Sequence, residues 1–312
     1  MFRVVATRLA AGIVTLLAAS ILIFATVDFL PGDAVTAYLG RDAAADPTAA
    51  AQLRKQYGLD RPVIVRYGDW ISGAVRLDFG VSIANRQPVS DLIGLRLRRT
   101  AIILVIALAI IFPLALVVGT VSALRRDTLL DSGLQVSMLS LASLPSFVVG
   151  ISLIVLFSFV WHLLPAVALD LSPRALVLPI ATLVLGWMPF TARMVRVGVV
   201  QALDSEYVQM ARLKGLSERD VVRSHVLPNS LVPAIQAFAL TAAGMPAGIV
   251  IVEYLFGFQG IGVFLIDSVR SRDAATVEAV TLILVAVYIV ANLLSDVFTI
   301  LLTPRLRTEA TG

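Results

Sequence analysis

Six separate runs of apolar residues, each long enough to cross a lipid bilayer as a helix, set the main constraint on what this chain can fold into. The bilayer core needs about 20 helical residues, and lipid offers no hydrogen-bond partner to an exposed backbone. Each run is therefore expected to be helical, and the sequence predicts an all-α polytopic membrane protein with six transmembrane helices. The runs cover residues 9–30, 100–124, 133–161, 175–192, 231–256 and 279–303.

The composition agrees with this class of protein. Of the 312 residues, 58% are apolar and only 15% are charged, whereas ordinary soluble domains have about 45–50% and about 25%. The chain has no cysteine, which excludes disulfides, thiol catalysis and cysteine-ligated metals. Its net charge of +4 comes from basic residues that flank the apolar runs, as orientation signals do, so nucleic acid is not predicted as a partner.

The basic residues also predict how the helices are oriented. Arg3 and Arg8 precede the first run, which is too long for a cleaved signal sequence and is interpreted as an uncleaved span. With the N-terminus inside, the inner segments carry twelve Lys and Arg residues and the two short outer loops carry three. We therefore expect both termini inside.

These assignments divide the chain into four parts. Residues 1–30 form the first transmembrane helix, and 31–99 form a small outer region that folds as a few short helices. Residues 100–303 form a five-helix core that contains a basic inner segment, 203–228, and residues 304–312 form an inner tail.

Segment 203–228 has the pattern of two short helices joined at a glycine. Leu203, Tyr207 and Met210 recur at helical spacing, and Gly215 is placed as a C-terminal stop. Ser217 then predicts the start of a second helix, which is expected to end before Pro228. The segment could dock in a groove of a partner protein, or it could rest on anionic lipid. The four cations available for lipid are Arg212, Lys214, Arg219 and Arg223.

The same segment resembles the coupling motif of bacterial ABC importer permeases. That motif is Glu-Ala-Ala, three residues, Gly, nine residues, Ile, one residue, Leu-Pro. Here Ala211, Gly215, Leu227 and Pro228 match it in register, whereas Gln209, Met210 and His225 replace the Glu, the first Ala and the Ile. Residues 211–217 are similar to the variant found in the oligopeptide/dipeptide/nickel subfamily.

The resemblance extends over nearly the whole chain. It includes residues 57–62 and 77–82, the 256–262 glycine-rich stretch, and the 304–307 ending. It implies the type I ABC importer permease fold in a bacterial inner membrane, a heterodimer with a second permease, two ATPase subunits, and an extracytoplasmic solute-binding protein. The implied cargo is a short peptide, or a related solute such as a nickel chelate or a glutathione-like compound. The implied coupling residues are Tyr207, Gln209, Met210, Ala211, Gly215, Leu227 and Pro228.

The chain lacks the sequence that cradles a nucleotide phosphate. Its only lysines are Lys55 and Lys214, and neither stands in a Gly-x-x-x-x-Gly-Lys-Ser/Thr sequence. We expect no ATPase site and no cofactor in this chain, so ATP and Mg²⁺ would bind the partner ATPases and the subunit itself would not be an enzyme.

Polar groups and prolines inside the apolar runs are the candidates for a translocation path. We expect the third and fifth spans to bend at mid-depth, at Pro145 and within residues 244–248, and to contribute to a gate; simple helix packing is the alternative. The rival function is an ion- or proton-coupled secondary transporter that uses Asp28, Glu253 and Asp296. The candidate path residues are Pro145, Ser146, Gln236, Met245, Pro246, Glu253 and Asn292.

Overall fold

The computed structural model describes residues 2–28, 48, 51–52, 55 and 60–302, and these are helical apart from turns and one isolated bridge. The predicted tail 304–312 and much of the first half of region 31–99 lie outside the described residues. The helices are α1 (Phe2–Asp28), α2 (Val63–Val75), α3 (Val89–Leu124), α4 (Leu129–Ser143), α5 (Ser146–Ile154), α6 (Pro173–Leu203), α7 (Glu206–Leu213), α8 (Glu218–Val221), α9 (Leu227–Leu255), α10 (Ile261–Arg270) and α11 (Ala274–Leu302).

Within the described residues, five helices are long and apolar enough to cross a membrane, and the α4–α5 pair provides a sixth crossing if it is one span. The predicted all-α fold of membrane spans is therefore confirmed. In the text below, side I is the end of the bundle where α1 begins, and side II is the opposite end. The helices α3, α6 and α11 end at side I, and α9 begins there.

The third span is broken, as the sequence predicted. Helices α4 and α5 meet at 102° on either side of Leu144 and Pro145. A proline disfavours helical backbone in the residue before it, and Leu144 has an extended ψ of 131°. Pro145 is then the N-cap of α5, which passes into a π-helical stretch, Val155–Val160.

The fifth span is one continuous helix, unlike the broken third span. Helix α9 continues from Leu227 to Leu255 through Pro233 and Pro246. The glycines on either side of Pro246 have a packing function, because Trp187 of α6 lies against both of them: a Cβ on Gly244 would be 2.8 Å from the indole ring, and one on Gly248 would be 3.2 Å away. The small residues therefore allow α6 and α9 to approach closely.

Helix α6 occupies the centre of the bundle. It packs against α3, α4, α5 and α9, and α11 then joins α9 to α1. The sequence predicted this span as the shortest, over 175–192, but α6 extends to Leu203. Val195, Val199 and Ala202 on the extension are buried in a second apolar cluster, which explains why the helix continues past its apolar run. The main core is built from Ile103, Ile111, Leu178, Leu183, Met245 and Ile249, among others.

Candidate functional site

Helix α7, the first helix of segment 203–228, has two apolar faces that differ in exposure. Val208 and Ala211 are buried, whereas Tyr207, Met210 and Leu213 remain 43%, 55% and 82% exposed. The sequence predicted one apolar face, on Leu203, Tyr207 and Met210, and the structure adds a second, packed face one position further along the helix. The exposed face therefore remains available for a partner.

A complete glycine stop ends α7. Gly215 has a φ of +80°, its N–H donates to the carbonyl of Arg212 at 2.9 Å, and the N–H of Leu216 donates to the carbonyl of Ala211 at 3.3 Å. These two bonds form the Schellman motif, in which the residue after the helix adopts the left-handed conformation that glycine accepts without strain. The predicted role of Gly215 as a helix stop is confirmed.

Side chains also hold the turn that follows. The Ser217 hydroxyl accepts the N–H of Asp220 at 3.2 Å, as its predicted N-cap role requires. Arg212 donates Nε and Nη2 to the two carboxylate oxygens of Glu218, at 2.8 and 3.1 Å, and so bridges α7 and α8. The angle between the two short helices is thus defined by a cap, a glycine and a two-point ion pair.

The second helix does not end before Pro228, which corrects the prediction. Helix α8 passes into a π-helical turn, Val222–Val226, and then directly into α9, where Pro228 lies in the first turn. A proline cannot donate to the preceding turn and crowds the carbonyl four residues earlier, and the wider π turn accommodates it. The segment is therefore continuous with the fifth span rather than hinged to it.

The buried face of α7 joins the segment to three membrane helices, α3, α6 and α9. Val208 and Ala211 belong to one apolar cluster with Val195 and Val199 of α6. Since close-packed interiors transmit displacement rather than absorb it, α7 is built to move together with α6 and the start of α9. The remaining members of the cluster are Ala123, Ala202, Val221, Val226 and Ala234.

A buried ion pair next to this cluster was not found from the sequence. Arg196 of α6 donates Nε and Nη2 to Asp131 of α4 at 2.9 and 2.7 Å. Ser122 donates its hydroxyl to the same carboxylate at 2.5 Å, and the N–H of Asp127 donates at 3.3 Å. In the sequence, Arg196 is only one of the twelve inner cations that indicate helix orientation. Nothing in the local pattern connects it to an aspartate 65 residues away.

The candidate path residues do not form one lining in this chain. Met245 and Pro246 on α9 are buried inside the chain. Gln236 and Asn292 are half-buried, and the Asn292 side chain donates to the carbonyl of Tyr288 in its own helix. Only Pro145 and Ser146, at the break between α4 and α5, combine partial or full exposure with irregular backbone.

Glu253, a candidate for both the path and proton coupling, is buried and accepts hydrogen bonds at the start of α10. It is fully buried, and its Oε2 accepts the N–H groups of Gly262 at 2.7 Å and Val263 at 3.4 Å, at the start of α10. Its Oε1 accepts the hydroxyl of Thr100, which itself accepts the N–H of Ile261 at 2.9 Å. The carboxylate therefore caps α10 from a neighbouring helix.

The other two carboxylates of the rival function are paired as well. Asp28 binds Arg66 at side II, and Asp296 binds Arg8 at 3.0 Å at side I. The three groups thus lie in three separate contacts rather than along one proton route.

A bundle of membrane-spanning helices with a short two-helix segment at one side defines a multi-pass membrane protein. Comparison with known proteins gives the family. Residues 115–308 match the family described as binding-protein-dependent transport system inner membrane component, and residues 1–104 match the N-terminal model of the same systems. The chain belongs to this family of inner-membrane permeases, which confirms the resemblance identified from the sequence.

Full-length relatives support the assignment. A putative peptide transport system permease protein of Brucella abortus (strain 2308) is 32% identical over 317 residues, covering 99% of this chain and all of the relative. The glutathione transport system permease protein GsiC of Escherichia coli (strain K12) is 34% identical over 309 residues, covering 98% of this chain and 99% of the relative.

Proposed function

We propose that this chain is the permease subunit of an ATP-driven ABC importer, with side I in the cytosol and α7 as the contact with an ATPase subunit. The observation that carries the proposal is the exposed row of Tyr207, Met210 and Leu213 on a helix whose opposite face is locked into the bundle. A helix that only rested on lipid would not need to be built into the core of the transmembrane helices. Both chain termini would also lie in the cytosol.

The contact would work by passing displacement into the membrane. Closure of the ATPase dimer on ATP moves α7, and α6 and α9 follow because Val208 and Ala211 are packed among their side chains. Ala211 acts from the inner face, whereas Gln209 and Met210 are exposed toward the partner. Gly215 sets the turn, and Leu227 and Pro228 connect it to α9. The ATP and Mg²⁺ belong to the partner.

The cargo we propose is a short peptide, with a glutathione-like compound or a nickel chelate as related solutes. The support is the names of relatives that align over nearly their full length, one a peptide permease and one a glutathione permease. A solute-binding protein would deliver the cargo at side II, and a sister permease would complete the path. Of the path candidates, we place Pro145 and Ser146 at the gate, because the span is broken there.

Co-purification from mild detergent tests the proposal. The chain should bring down an ATPase subunit, and Met210→Asp should abolish that association by placing a charge in an apolar contact. Leu169→Asp is the matched control, because Leu169 is also an exposed apolar residue (72%) but lies at side II. Retained association in Met210→Asp would refute the contact. Uptake by the purified chain alone, driven by a pH gradient, would instead establish the secondary transporter.

A further inference from the structure

The broken α4–α5 span is tied to the docking segment by a charged contact at side I. Asp131 is in the first turn of α4 and is 4% exposed, and its partner Arg196 lies on α6 next to Val195 of the cluster that holds α7. The ion pair therefore joins α6, which packs against α7, to α4, which leads to the break at Pro145.

The carboxylate of Asp131 is a junction of four elements. It accepts from Arg196 on α6, from Ser122 at the end of α3, and from the backbone of Asp127 in the turn, while its own N–H donates to the Thr128 hydroxyl at 3.4 Å. With the two-point arginine contact, the carboxylate has four hydrogen bonds. Planar two-point pairing fixes the relative orientation of the helices as well as their distance.

A second ion pair joins the same elements, but it is exposed. Arg126, in the turn before α4, donates Nη1 to both carboxylate oxygens of Asp204, at the end of α6, at 2.8 and 2.9 Å. These side chains are 47% and 54% exposed, compared with 23% and 6% for Arg196 and Asp131. Separating buried charges is far more costly than separating exposed ones, so the buried pair is the contact that can carry force.

We propose that Asp131 and Arg196 are a positioning pair that stays closed through the transport cycle and passes the movement of α7 and α6 to the broken α4–α5 span. This inference rests on the proposed function, because it needs an ATPase subunit to move α7. The pair would connect the gate at Pro145 mechanically to the ATPase subunit, and the connection would run through α6 rather than through α9.

The test uses the whole transporter, purified with its ATPase subunits and labelled in the cysteine-free chain. Leu129→Cys at the start of α4 and Gln201→Cys on α6 place spin labels on two exposed positions. In the otherwise unchanged protein, the distance between the labels should be the same without nucleotide and with trapped ATP. In the D131N background it should change with nucleotide, which a contact that only stabilises the fold would not cause.

Transport per ATP hydrolysed provides the second measurement. D131N and Arg196→Lys should keep ATP hydrolysis and lose transport per ATP by about tenfold, within the range of allosteric coupling. Arg196→Lys keeps the charge and loses the two-point geometry, so it reports on the geometry even if D131N folds poorly. Arg126→Gln, which breaks only the exposed pair, is the control and should match the unchanged protein.

Two results would overturn the inference. One is a label distance that already changes with nucleotide in the unmodified background. The other is unchanged coupling in Arg196→Lys. Failure of the proposed function is recognised separately, because no ATPase subunit would then co-purify with the unmodified chain, and that result removes the basis for both proposals.

Discussion

The Oε2 atom of Glu253 accepts the backbone N–H of Gly262 at 2.7 Å, so a carboxylate at the end of α9 caps the helix that begins after the glycine-rich turn. The turn is built around this contact: a Cβ on Gly260 would overlap the carboxylate group. A buried carboxylate is costly without partners, and here three N–H or O–H groups donate to it. Glu253 is therefore part of the helix packing at side II, where it caps α10.

We predict that Glu253→Ala lowers the free energy of unfolding by about 2–3 kcal/mol, because the Thr100 hydroxyl and the first N–H groups of α10 lose their acceptor. Glu253→Gln keeps one carbonyl oxygen and should cost about half as much. Thermal unfolding of the detergent-purified protein measures both. If Glu253 instead served proton-coupled transport, Glu253→Gln would abolish uptake while leaving the melting temperature unchanged.

An added Cβ on Gly215 would have open space around it within this chain, so the left-handed backbone, rather than crowding, accounts for the glycine. Replacing it with Val should strain the turn by about 1–2 kcal/mol, the cost of a left-handed backbone in L-residues, and tilt α7 against α8. Gly215→Asn should cost less, since Asn tolerates this conformation. The predicted consequence is a graded loss of ATPase stimulation, least for Asn and greatest for Val.

Gly133→Ala is the control for the Gly215 series, because that glycine also has no atom within 4 Å of an added Cβ but has no left-handed φ. It lies inside α4, where Ala is the better helix former, so stability should stay the same or rise slightly. Equal stimulation of the ATPase by the Val, Asn and unmodified proteins would show that the angle of the turn is irrelevant to coupling.

How far the sequence predicts this molecule depends on the distance between interacting residues. The apolar runs predict the spans, and local signals correctly place Gly215, Ser217 and the break at Pro145, because each of these effects acts within one or two turns of chain. The extension of α6 was missed because Arg193, Arg196 and Gln201 interrupt its apolar run.

Contacts between residues far apart in the chain could not be predicted from the sequence. Thr100 and Glu253 are 153 residues apart, and Asp131 and Arg196 are 65 apart. A single sequence carries no sign that an acidic residue in a span is a cap rather than a path group. The two possibilities differ only in what the folded chain places around the carboxylate, which is why Glu253 was assigned to the path.

The ion pairs at the two ends of the bundle, Asp28–Arg66 at side II and Asp296–Arg8 at side I, should differ in their contribution to stability. Asp28 and Arg66 are 20% and 18% exposed, whereas Asp296 and Arg8 are 35% and 58% exposed. Asp28→Asn should therefore cost about 2 kcal/mol, below the 3–5 kcal/mol of a fully buried pair. Asp296→Asn should cost about 0–1 kcal/mol, as surface pairs do. Chemical unfolding of the two variants gives the comparison, and a larger loss for Asp296→Asn would contradict the burial argument.

The break at Pro145 and the continuous helix at Pro246 predict opposite outcomes for two proline replacements. Pro145→Ala removes the restriction on Leu144 and lets α4 and α5 join into a longer helix, so we expect transport to fall several-fold with little change in ATP hydrolysis. Pro246→Ala should leave transport near its normal level, because α9 is already unbroken there and the neighbouring glycines serve Trp187. Transport assays in vesicles, normalised to the amount of inserted protein, measure both. Normal transport in Pro145→Ala would remove the gate from the broken span, and strong loss in Pro246→Ala would move it to α9.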